Sequence, residues 1–288
     1  MTLADSPSSG TTWRYRAASH PHIVPVRTFN DNYVWLIDLP SQTGVREALV
    51  VDPGDAAPVL EALEAARLPL AGILITHHHA DHTGGIAGLK AAWPEAVVYG
   101  PRKCSNTFIQ RRYDHGDTVM VDGLGLRCRV IEVPGHTLDH NAYFCERIGS
   151  DARPVLFCGD TLFAGGCGRV FEGTPALMHE SLARLLALPL QTLVYCAHEY
   201  TLANLRFAQA AEPGSETLAG RLREAEAIRK RDLETVPSTI GIELETNPFA
   251  RLTEPSVWRS LAERGSVDAA DSVAVFAALR QWKNEFRG

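Results

Sequence analysis

The sequence contains no apolar run long enough to cross a membrane, no C-x-x-C pair, no internal repeat and no low-complexity block. A transmembrane helix needs about 20 consecutive apolar residues, so no membrane partner is expected. Acidic side chains outnumber basic ones by 34 to 28, which gives a net charge of −6. Because proteins that bind nucleic acid are usually basic, no nucleic-acid partner is expected either.

The cysteines and the N-terminal residues favour an intracellular protein. Without a C-x-x-C pair, the cysteines suggest neither a zinc ribbon nor a redox motif, and in a chain of 288 residues we expect buried thiols in a reducing compartment. Residues 1–21 are rich in Ser, Thr and Gly and lack the apolar segment of a secretory signal, so they predict a flexible tail. A transit peptide is an alternative that Asp5 disfavours, and a cytoplasmic location is predicted. The six cysteines are Cys104, Cys128, Cys145, Cys158, Cys167 and Cys196.

Short apolar segments alternate with helical patterns from Ile23 to about Tyr200. "IVPVRTF", "NYVWLIDL", "LAGILIT", "RPVLFCGD" and "LQTLVYCAH" are typical of strands. "AAPVLEALEAARL", which follows the candidate N-cap Asp55, and "GGIAGLKAAW" have the apolar spacing of helices. This alternation predicts an α/β protein or a mixed α+β sandwich.

The composition changes after Tyr200. "LANLRFAQAAEP", "ETLAGRLREAEAIRKRDLETV" and "SVAVFAALRQWKNEFR" are rich in helix-forming residues and predict three helices. "VPSTIGIELETNPFARL", between the last two, contains two prolines and predicts irregular structure. We therefore expect a tail at residues 1–21, a metal-binding catalytic domain at residues 22–200 and a helical domain at residues 201–288.

The segment "ILITHHHADHTGG" ends an apolar strand on four histidines and an aspartate within six positions. Metal binding accounts for the pattern H-x-H-x-D-H better than a structural role does. Three later apolar strands also end in a ligand-type residue: His136, Asp160 or His198. Because strand ends in open sheets tend to lie along one edge, we expect these side chains to meet.

The strand-end residues predict a centre with two metal ions. Seven nitrogen and oxygen ligands are too many for one tetrahedral ion, and they suit two ions about 3.5–4 Å apart. His77 and His79 are two apart and can point the same way, so His78 is expected to face away. Asp160 is expected to bridge the ions, a turn cap being the alternative. The predicted ligands are His77, His79, Asp81, His82, His136, Asp160 and His198, whereas His20, His22, His115, His140 and His179 are interpreted as structural.

The motifs resemble those of a known family. "THHHADHTGG" is similar to the signature of the metallo-β-lactamase superfamily. "VPGHTLDH", "FCGDTLFAGGCGR", "CAHEYTLANLRFA", "TNPFAR" and "LRQWKNEF" resemble one branch of it, the hydroxyacylglutathione hydrolases, or glyoxalase II. The resemblance extends from about Ile23 to the end of the chain. It implies an αββα sandwich followed by a smaller all-α domain.

The resemblance also implies ligands and a reaction. His77, His79 and His136 would hold the first metal, Asp81, His82 and His198 the second, and Asp160 would bridge them. The implied substrate is the glutathione thioester S-D-lactoylglutathione, hydrolysed to glutathione and D-lactate in the second step of methylglyoxal detoxification. We hypothesise attack by a hydroxide held between the two metals, with Asp81 accepting its proton.

The same resemblance implies the substrate contacts Arg169, Phe171, Tyr200, Arg280 and Lys283. Relatives often have Lys where Arg169 stands and Tyr where Phe171 stands, so the affinity is expected to differ in detail. Arg280 and Lys283 lie along one edge of the last predicted helix. The alternative for them is a solvated border with apolar stems, and the resemblance favours binding of the glycine carboxylate of glutathione.

The metal and the reaction have alternatives. Imidazole and carboxylate ligands suit zinc, our first choice, but also iron and manganese. A mononuclear iron glutathione-persulfide dioxygenase of the same superfamily is the main rival, and the long helical C-terminal segment argues against it. A nuclease is disfavoured by the acidic charge balance, and a silent metal-binding module by the complete ligand set. A monomer is expected.

Overall fold

The computed structural model describes residues 20–41, 44–265 and 268–288. Most of the predicted tail, residues 1–19, lies outside these ranges, and His20 is buried. The strands are β1 (Ile23–Thr28), β2 (Asn32–Pro40), β3 (Arg46–Val51), β4 (Leu70–Leu74), β5 (Val97–Pro101), β6 (Arg111–Tyr113), β7 (Thr118–Val121), β8 (Leu126–Glu132), β9 (Asn141–Cys145), β10 (Val155–Gly159), β11 (Leu162–Phe163), β12 (Gly166–Cys167), β13 (Leu193–Cys196) and β14 (Ser238–Thr239). The α-helices are α1 (Ala56–Ala66), α2 (Ala80–Thr83), α3 (Ile86–Ala92), α4 (Pro175–Leu186), α5 (Thr201–Ala211), α6 (Glu216–Arg229), α7 (Ile240–Thr246), α8 (Pro255–Ala262) and α9 (Ser272–Glu285).

Two six-stranded sheets form the centre of the fold. The first has the order β1-β2-β3-β4-β5-β6 and is parallel from β3 to β6. The second has the order β14-β13-β10-β9-β8-β7, with β10 and β13 parallel. Parallel strands require crossover segments, which contain α1 between β3 and β4 and α3 between β4 and β5, whereas residues 102–110 join β5 to β6 without a helix. A short hairpin of β11 and β12 stands apart from both sheets.

Apolar side chains bury both faces of the first sheet. Val50 and Ile73 pack with α1 and α3 on its outer face, whereas Trp35 and Leu49 face the second sheet. Trp35 Nε1 donates a hydrogen bond to the Cys196 carbonyl at 3.0 Å, which joins the two sheets across the sandwich. The predicted αββα sandwich followed by helices is therefore confirmed. Among the described residues, no helix has both the length and the apolar character that crossing a membrane requires.

Local sequence explains where several helices begin. Asp55 caps α1, as predicted, by accepting a hydrogen bond from Ala57 N at 3.0 Å. The prediction of irregular structure over residues 236–252 is wrong in part, because this segment contains β14, α7 and a 3-10 helix at Pro248–Ala250. Thr239 caps α7 through its hydroxyl, which accepts from Ile242 N. The two prolines lie just outside α7, so they delimit this helix rather than prevent it.

The prediction of six buried thiols is wrong for one pair. Cys128 and Cys145, which are both buried, face each other on the antiparallel strands β8 and β9 and form a disulfide. Their Cα atoms are 4.3 Å apart, as expected for a non-hydrogen-bonded antiparallel pair. The other four cysteines are free and buried: Cys104, Cys158, Cys167 and Cys196.

The β11–β12 hairpin is held by side chains from the C-terminal helices. Its turn exposes backbone groups that neither sheet can satisfy. Four side chains, from α5, α7, the end of α7 and α9, bond to these groups instead. The bonds run from Asn204 Nδ2 to Ala164 O (3.2 Å), from Asn247 Nδ2 to Phe163 O (3.3 Å) and Gly166 O (2.9 Å), from Gly165 N to Glu243 Oε2 (2.8 Å), and from Arg280 Nη1 to Cys167 O (2.8 Å). The helices therefore fix the segment that leads from Asp160 to Arg169.

Candidate metal centre

Four strands deliver the predicted ligands to one edge of the sandwich. β4 leads to the loop with His77 and His79, and α2 follows with Asp81 and His82. β8, β10 and β13 end shortly before the other three. The structure brings all seven predicted residues together, in groups whose ligand atoms lie within 4.8 Å of one another: His77–His79–His136, His77–His82–Asp160 and Asp81–His82–His198.

Three imidazoles form the first group. His79 Nδ1 lies 3.1 Å from His77 Nε2 and 3.1 Å from His136 Nε2. Nitrogens bound at 2.0–2.1 Å to one tetrahedral ion stand about 3.3 Å apart. The spacing is therefore close to that of three ligands around one cation.

The second group combines two imidazoles and a carboxylate. Asp81 Oδ2 lies 3.6 Å from His82 Nε2 and 3.5 Å from His198 Nε2. Asn32 Nδ2 donates to the same Asp81 oxygen at 3.1 Å and holds the carboxylate in place. Asn32 also forms an antiparallel bridge with His198, so the β1–β2 turn braces this side of the cluster.

The buried carboxylate of Asp160 stands between the two groups. Its Oδ2 lies 3.4 Å from His136 Nε2, on the side of the first group. Its Oδ1 lies 3.6 Å from His82 Nε2 and 3.4 Å from His198 Nε2, on the side of the second. One oxygen therefore faces each group, the arrangement that a bridging ligand needs.

The outward nitrogens of the histidines have partners of their own. Such bonds orient a ligand ring and fix which nitrogen is free for the metal. Four histidines thereby leave Nε2 for the cluster, whereas His79 presents Nδ1. The contacts join His77 Nδ1 to Thr76 Oγ1 (3.0 Å), His82 Nδ1 to Asp52 Oδ2 (3.0 Å), His136 Nδ1 to Arg169 O (2.9 Å) and His198 Nδ1 to Asp31 Oδ1 (2.9 Å).

The sequence prediction missed Asp31 and Asp52. Asp52 has a positive φ of 53° and accepts from both Thr76 N (2.7 Å) and Thr76 Oγ1 (2.7 Å), besides contacting His82. A strained backbone of this kind persists where the surroundings fix it. Asp52 directly follows the apolar strand "EALVV", the same signal that identified Asp160, so the pattern could have found it.

The electrostatics of the cluster suit cations. Burial lowers the pKa of His77, His79 and His136, which keeps these rings neutral and able to coordinate. Burial of Asp160 raises the pKa of its carboxyl, but the neighbouring His82 and His198 lower this pKa by more and hold it well below the usual range. A carboxylate that stays charged inside a buried site needs positive charge beside it.

Two buried atoms in the cluster have no hydrogen-bond partner among the described residues: His82 Nε2 and Asp160 Oδ1. Buried polar atoms are normally satisfied. These two face each other at 3.6 Å, beside His198. A cation in the second group would satisfy both, so the residues present fit a divalent metal.

Glycines allow the close approaches on which the cluster depends. A Cβ at Gly168 would lie 1.9 Å from the Asp160 carbonyl oxygen, and a Cβ at Gly54 would lie 2.0 Å from that of Asp81. Real Cβ atoms do not come this close. Glycine is therefore required at both positions, which explains the second glycine of "GCGR".

Of the histidines interpreted as structural, His140 lies next to the cluster. Its Nε2 accepts a hydrogen bond from Asp160 N at 3.1 Å, and its ring stacks on His77 with centroids 4.6 Å apart. His78 points away from the cluster, as predicted. Its Nδ1 is 3.0 Å from Asp139 Oδ1 and its Nε2 is 3.2 Å from Glu172 Oε1.

A cleft of about 530 Å³ opens from the cluster towards the C-terminal helices. This volume is typical of small-molecule sites. Phe171 is 60% exposed, with its ring 5.2 Å from that of His136, and Tyr200 stacks on His198 with centroids 4.7 Å apart. All five predicted substrate contacts line the cleft: Arg169, Phe171, Tyr200, Arg280 and Lys283.

The two cations of α9 differ in their surroundings. Arg280 is 7% exposed, and one of its Nη atoms is committed to the Cys167 carbonyl, while its Nε has no partner among the described residues. Lys283 Nζ donates to Ala203 O at 2.9 Å. Burial, together with the charge of the nearby Arg280, lowers the pKa of Lys283 to about 8.

A groove of about 650 Å³ lies at the start of β8, lined by Arg127, Arg129 and Arg147. None of the groups of potential metal ligands found in the described residues falls in it. The cleft beside Asp160 is therefore the candidate active site.

The paired histidine groups and the shared aspartate, at the edge of an αββα sandwich, define a metallo-β-lactamase fold. The family model "Metallo-beta-lactamase superfamily" matches residues 27–198, and "Hydroxyacylglutathione hydrolase C-terminus" matches residues 199–286. The chain belongs to the hydroxyacylglutathione hydrolase family. The match to a metal-dependent family agrees with the imidazole and carboxylate side chains of the cluster.

Relatives support this assignment, and solved structures share the fold. The chain is 50% identical over 264 residues to the hydroxyacylglutathione hydrolase of Chromohalobacter salexigens, covering 92% of this chain and 99% of the relative. It is 50% identical over 260 residues to that of Pseudomonas aeruginosa, covering 90% and 96%. The fold is similar to that of ETHE1 from Myxococcus xanthus, with a TM-score of 0.59, 24% identity and coverage of 90% and 97%. A metallo-beta-lactamase from Staphylococcus aureus has a TM-score of 0.58, 20% identity and coverage of 91% and 72%.

Proposed function

We propose that this protein hydrolyses the thioester of S-D-lactoylglutathione and related 2-hydroxyacylglutathiones, releasing glutathione and D-lactate. The observation that carries the proposal is Asp160, whose two oxygens face two groups of histidines beside a cleft lined by four cationic side chains. The name of the relatives at 50% identity supports the substrate class. The reaction would be the second step of methylglyoxal detoxification.

We assign His77, His79 and His136 to one ion, Asp81, His82 and His198 to a second, and Asp160 to both. Imidazole and carboxylate donors favour zinc, with iron or manganese as alternatives. Two divalent ions, when bound, supply a water whose pKa falls from 15.7 to about 7 and a positive charge for the developing oxyanion.

The side chains of the cleft would orient the substrate. The guanidinium of Arg169 and the Nζ of Lys283 would attract the carboxylates of glutathione, together with the Nε of Arg280. Phe171 and Tyr200 would pack against the peptide at the mouth of the cluster. Asp81, whose Oδ2 is held by Asn32, would accept a proton during hydrolysis. A thiolate leaves readily, so no strong general acid is required.

Removal of metal is expected to abolish the activity. Because His82 Nε2 and Asp160 Oδ1 have no hydrogen-bond partner in the part of the chain that the structure describes, treatment with a chelator should stop the loss of thioester absorbance with S-D-lactoylglutathione. Restoring zinc should restore turnover. Full turnover in metal-free protein, with the metal content checked by atomic emission, would contradict the proposal.

Lys283 is expected to make the KM depend on pH. Since the pKa of Lys283 is lowered to about 8, its ammonium is present below pH 8 and lost above it. The KM for S-D-lactoylglutathione should therefore rise about tenfold by one pH unit above that pKa. Lys283→Arg stays charged, so it should remove this rise. Any pH dependence that comes from titration of the substrate itself should be the same in both proteins. An identical rise in both proteins would exclude Lys283 as its cause.

We also propose the domain boundary at residues 200 and 201, a monomeric state and a cytoplasmic location. The beginning of α5 at Thr201 supports the boundary. Four free buried cysteines favour a reducing compartment, whereas the disulfide of Cys128 and Cys145 is unusual in one. The rival persulfide dioxygenase is disfavoured because the family model that matches residues 199–286 is that of the hydroxyacylglutathione hydrolase C-terminus.

A further inference from the structure

Three polar side chains behind the cluster form what we call the outer clasp: His78, Asp139 and Glu172. His78 Nδ1 lies 3.0 Å from Asp139 Oδ1, and its Nε2 lies 3.2 Å from Glu172 Oε1. Both ring nitrogens of His78 thus contact carboxylates of neighbouring loops. His78 contacts three loops at once: its own, the loop of His136, and the segment Arg169–Gly173.

Further bonds within the loop of His136, and between it and the segment 169–173, continue the clasp. Glu172 Oε2 accepts from Leu138 N at 2.8 Å, and Thr137 Oγ1 donates to Asp139 Oδ1 at 2.7 Å. Phe171 N and Glu172 N both donate to His136 O at 3.3 Å. The Glu172 carboxylate is therefore the point at which the loop of His136, the segment 169–173 and His78 meet.

The segment 169–173 has no helix or strand to hold it. It presents Arg169 and the exposed ring of Phe171 to the cleft. Ordering irregular chain costs conformational entropy. Without the clasp the segment would keep only its bonds to Gly135 and His136, so binding of the substrate would have to order the side chains of Arg169 and Phe171, and affinity would fall.

We propose that Glu172 and His78 are positioning residues, which act through Arg169 and Phe171 to set the affinity for the glutathione part of the substrate. This inference rests on the proposed function. His78 and Glu172 form, with His79, a further group whose ligand atoms lie within 4.8 Å of one another, but we assign the clasp no ion because both ring nitrogens of His78 already contact carboxylates. The clasp therefore acts on KM and leaves kcat and metal content unchanged.

The test compares Glu172→Ala with Glu180→Ala. Glu180 is an exposed carboxylate on α4 that pairs with Arg184 at 2.6 Å, so the control removes the same group away from the cleft. Glu172→Ala should raise the KM for S-D-lactoylglutathione about tenfold, the effect of one charge-assisted hydrogen bond. Its kcat and its metal content should match those of the parent. Glu172→Gln, which keeps an oxygen for Leu138 N, should restore most of the affinity.

Two further measurements separate positioning from a general structural effect. A small lactoyl thioester that lacks the glutathione peptide should be hydrolysed equally by the parent and Glu172→Ala, because it does not use Arg169 or Phe171. Adding Phe171→Ala to Glu172→Ala should raise KM by less than the product of the single effects. Loss of metal, a fall in kcat at unchanged KM, or an equal loss on both substrates would overturn the proposal.

Binding of glutathione itself keeps this test independent of turnover. Calorimetry with glutathione should give a Kd about tenfold higher for Glu172→Ala than for the parent and Glu180→Ala. If the parent binds glutathione but does not hydrolyse S-D-lactoylglutathione, the proposed function fails and this difference still decides the role of the clasp. Equal Kd values, or no binding to the parent, would overturn the role of the clasp.

Discussion

Asp160→Asn is expected to lose metal and thioesterase activity together. Both oxygens of Asp160 are used, one towards His136 and one towards His82 and His198. An amide lacks the negative charge that balances two cations in a buried site. Loss of groups that merely orient a metal ligand costs about 10–100-fold. The kcat/KM for S-D-lactoylglutathione should therefore fall by at least about 100-fold, with at most one ion retained.

Glu212→Gln provides the matched control. Glu212 is a buried carboxylate that pairs with Arg251 Nε at 2.8 Å and Ser256 Oγ at 2.8 Å, in the C-terminal helices. It should keep two ions and normal turnover, even if the protein becomes less stable. The test measures metal content and kcat/KM on the same preparations of both variants. If Asp160→Asn kept two ions and full activity, Asp160 would not be the bridging ligand.

Glu243→Ala is expected to destabilise the protein severely. Glu243 and Arg221 form an ion pair at 2.6 Å, and both side chains are completely buried. Removing one partner of a buried pair leaves an uncompensated charge and typically costs about 3–5 kcal/mol. The substitution also deprives Gly165 N of its acceptor and removes one of the three acceptors of Asn247 Nδ2. The free energy of unfolding by urea should fall by about this amount.

The exposed pair Glu180–Arg184 supplies the comparison. Glu180→Ala breaks an ion pair between residues four apart on α4, and such pairs contribute about 0.3–0.5 kcal/mol. Its urea midpoint should therefore be nearly unchanged. If Glu243→Ala were no more destabilising than Glu180→Ala, the buried pair would be compensated by some other rearrangement.

The metal cluster could be foreseen from the sequence because each member follows an apolar strand. His136, Asp160 and His198 lie far apart along the chain, yet parallel and adjacent strands bring their ends to one edge. The same pattern contained Asp52, which was missed because an acid before Pro-Gly is also a common turn residue. Asp31 carries no such signal, since its role depends on where the β1–β2 turn lies against His198.

Other features depend on contacts that no local pattern reports. The disulfide of Cys128 and Cys145 requires the register of two antiparallel strands, and the cysteines are 17 residues apart. The helix α7 is seven residues long and flanked by prolines, so its composition does not reveal it. Its formation depends on burial of Glu243 against Arg221, which lies 22 positions earlier. Local propensity yields to such tertiary packing.

The bonds between the β11–β12 hairpin and the C-terminal helices have an evolutionary consequence. A lineage that discarded everything after residue 200 would leave five backbone groups of this turn without donors or acceptors, each costing about 1–3 kcal/mol if it stayed buried. Recombination that joined a foreign helical module would face the same difficulty unless it brought matching amide, carboxylate and guanidinium groups. The two halves of this chain are therefore expected to have been inherited as a pair, with substitutions at Asn204, Glu243, Asn247 and Arg280 tolerated only when the turn changes with them.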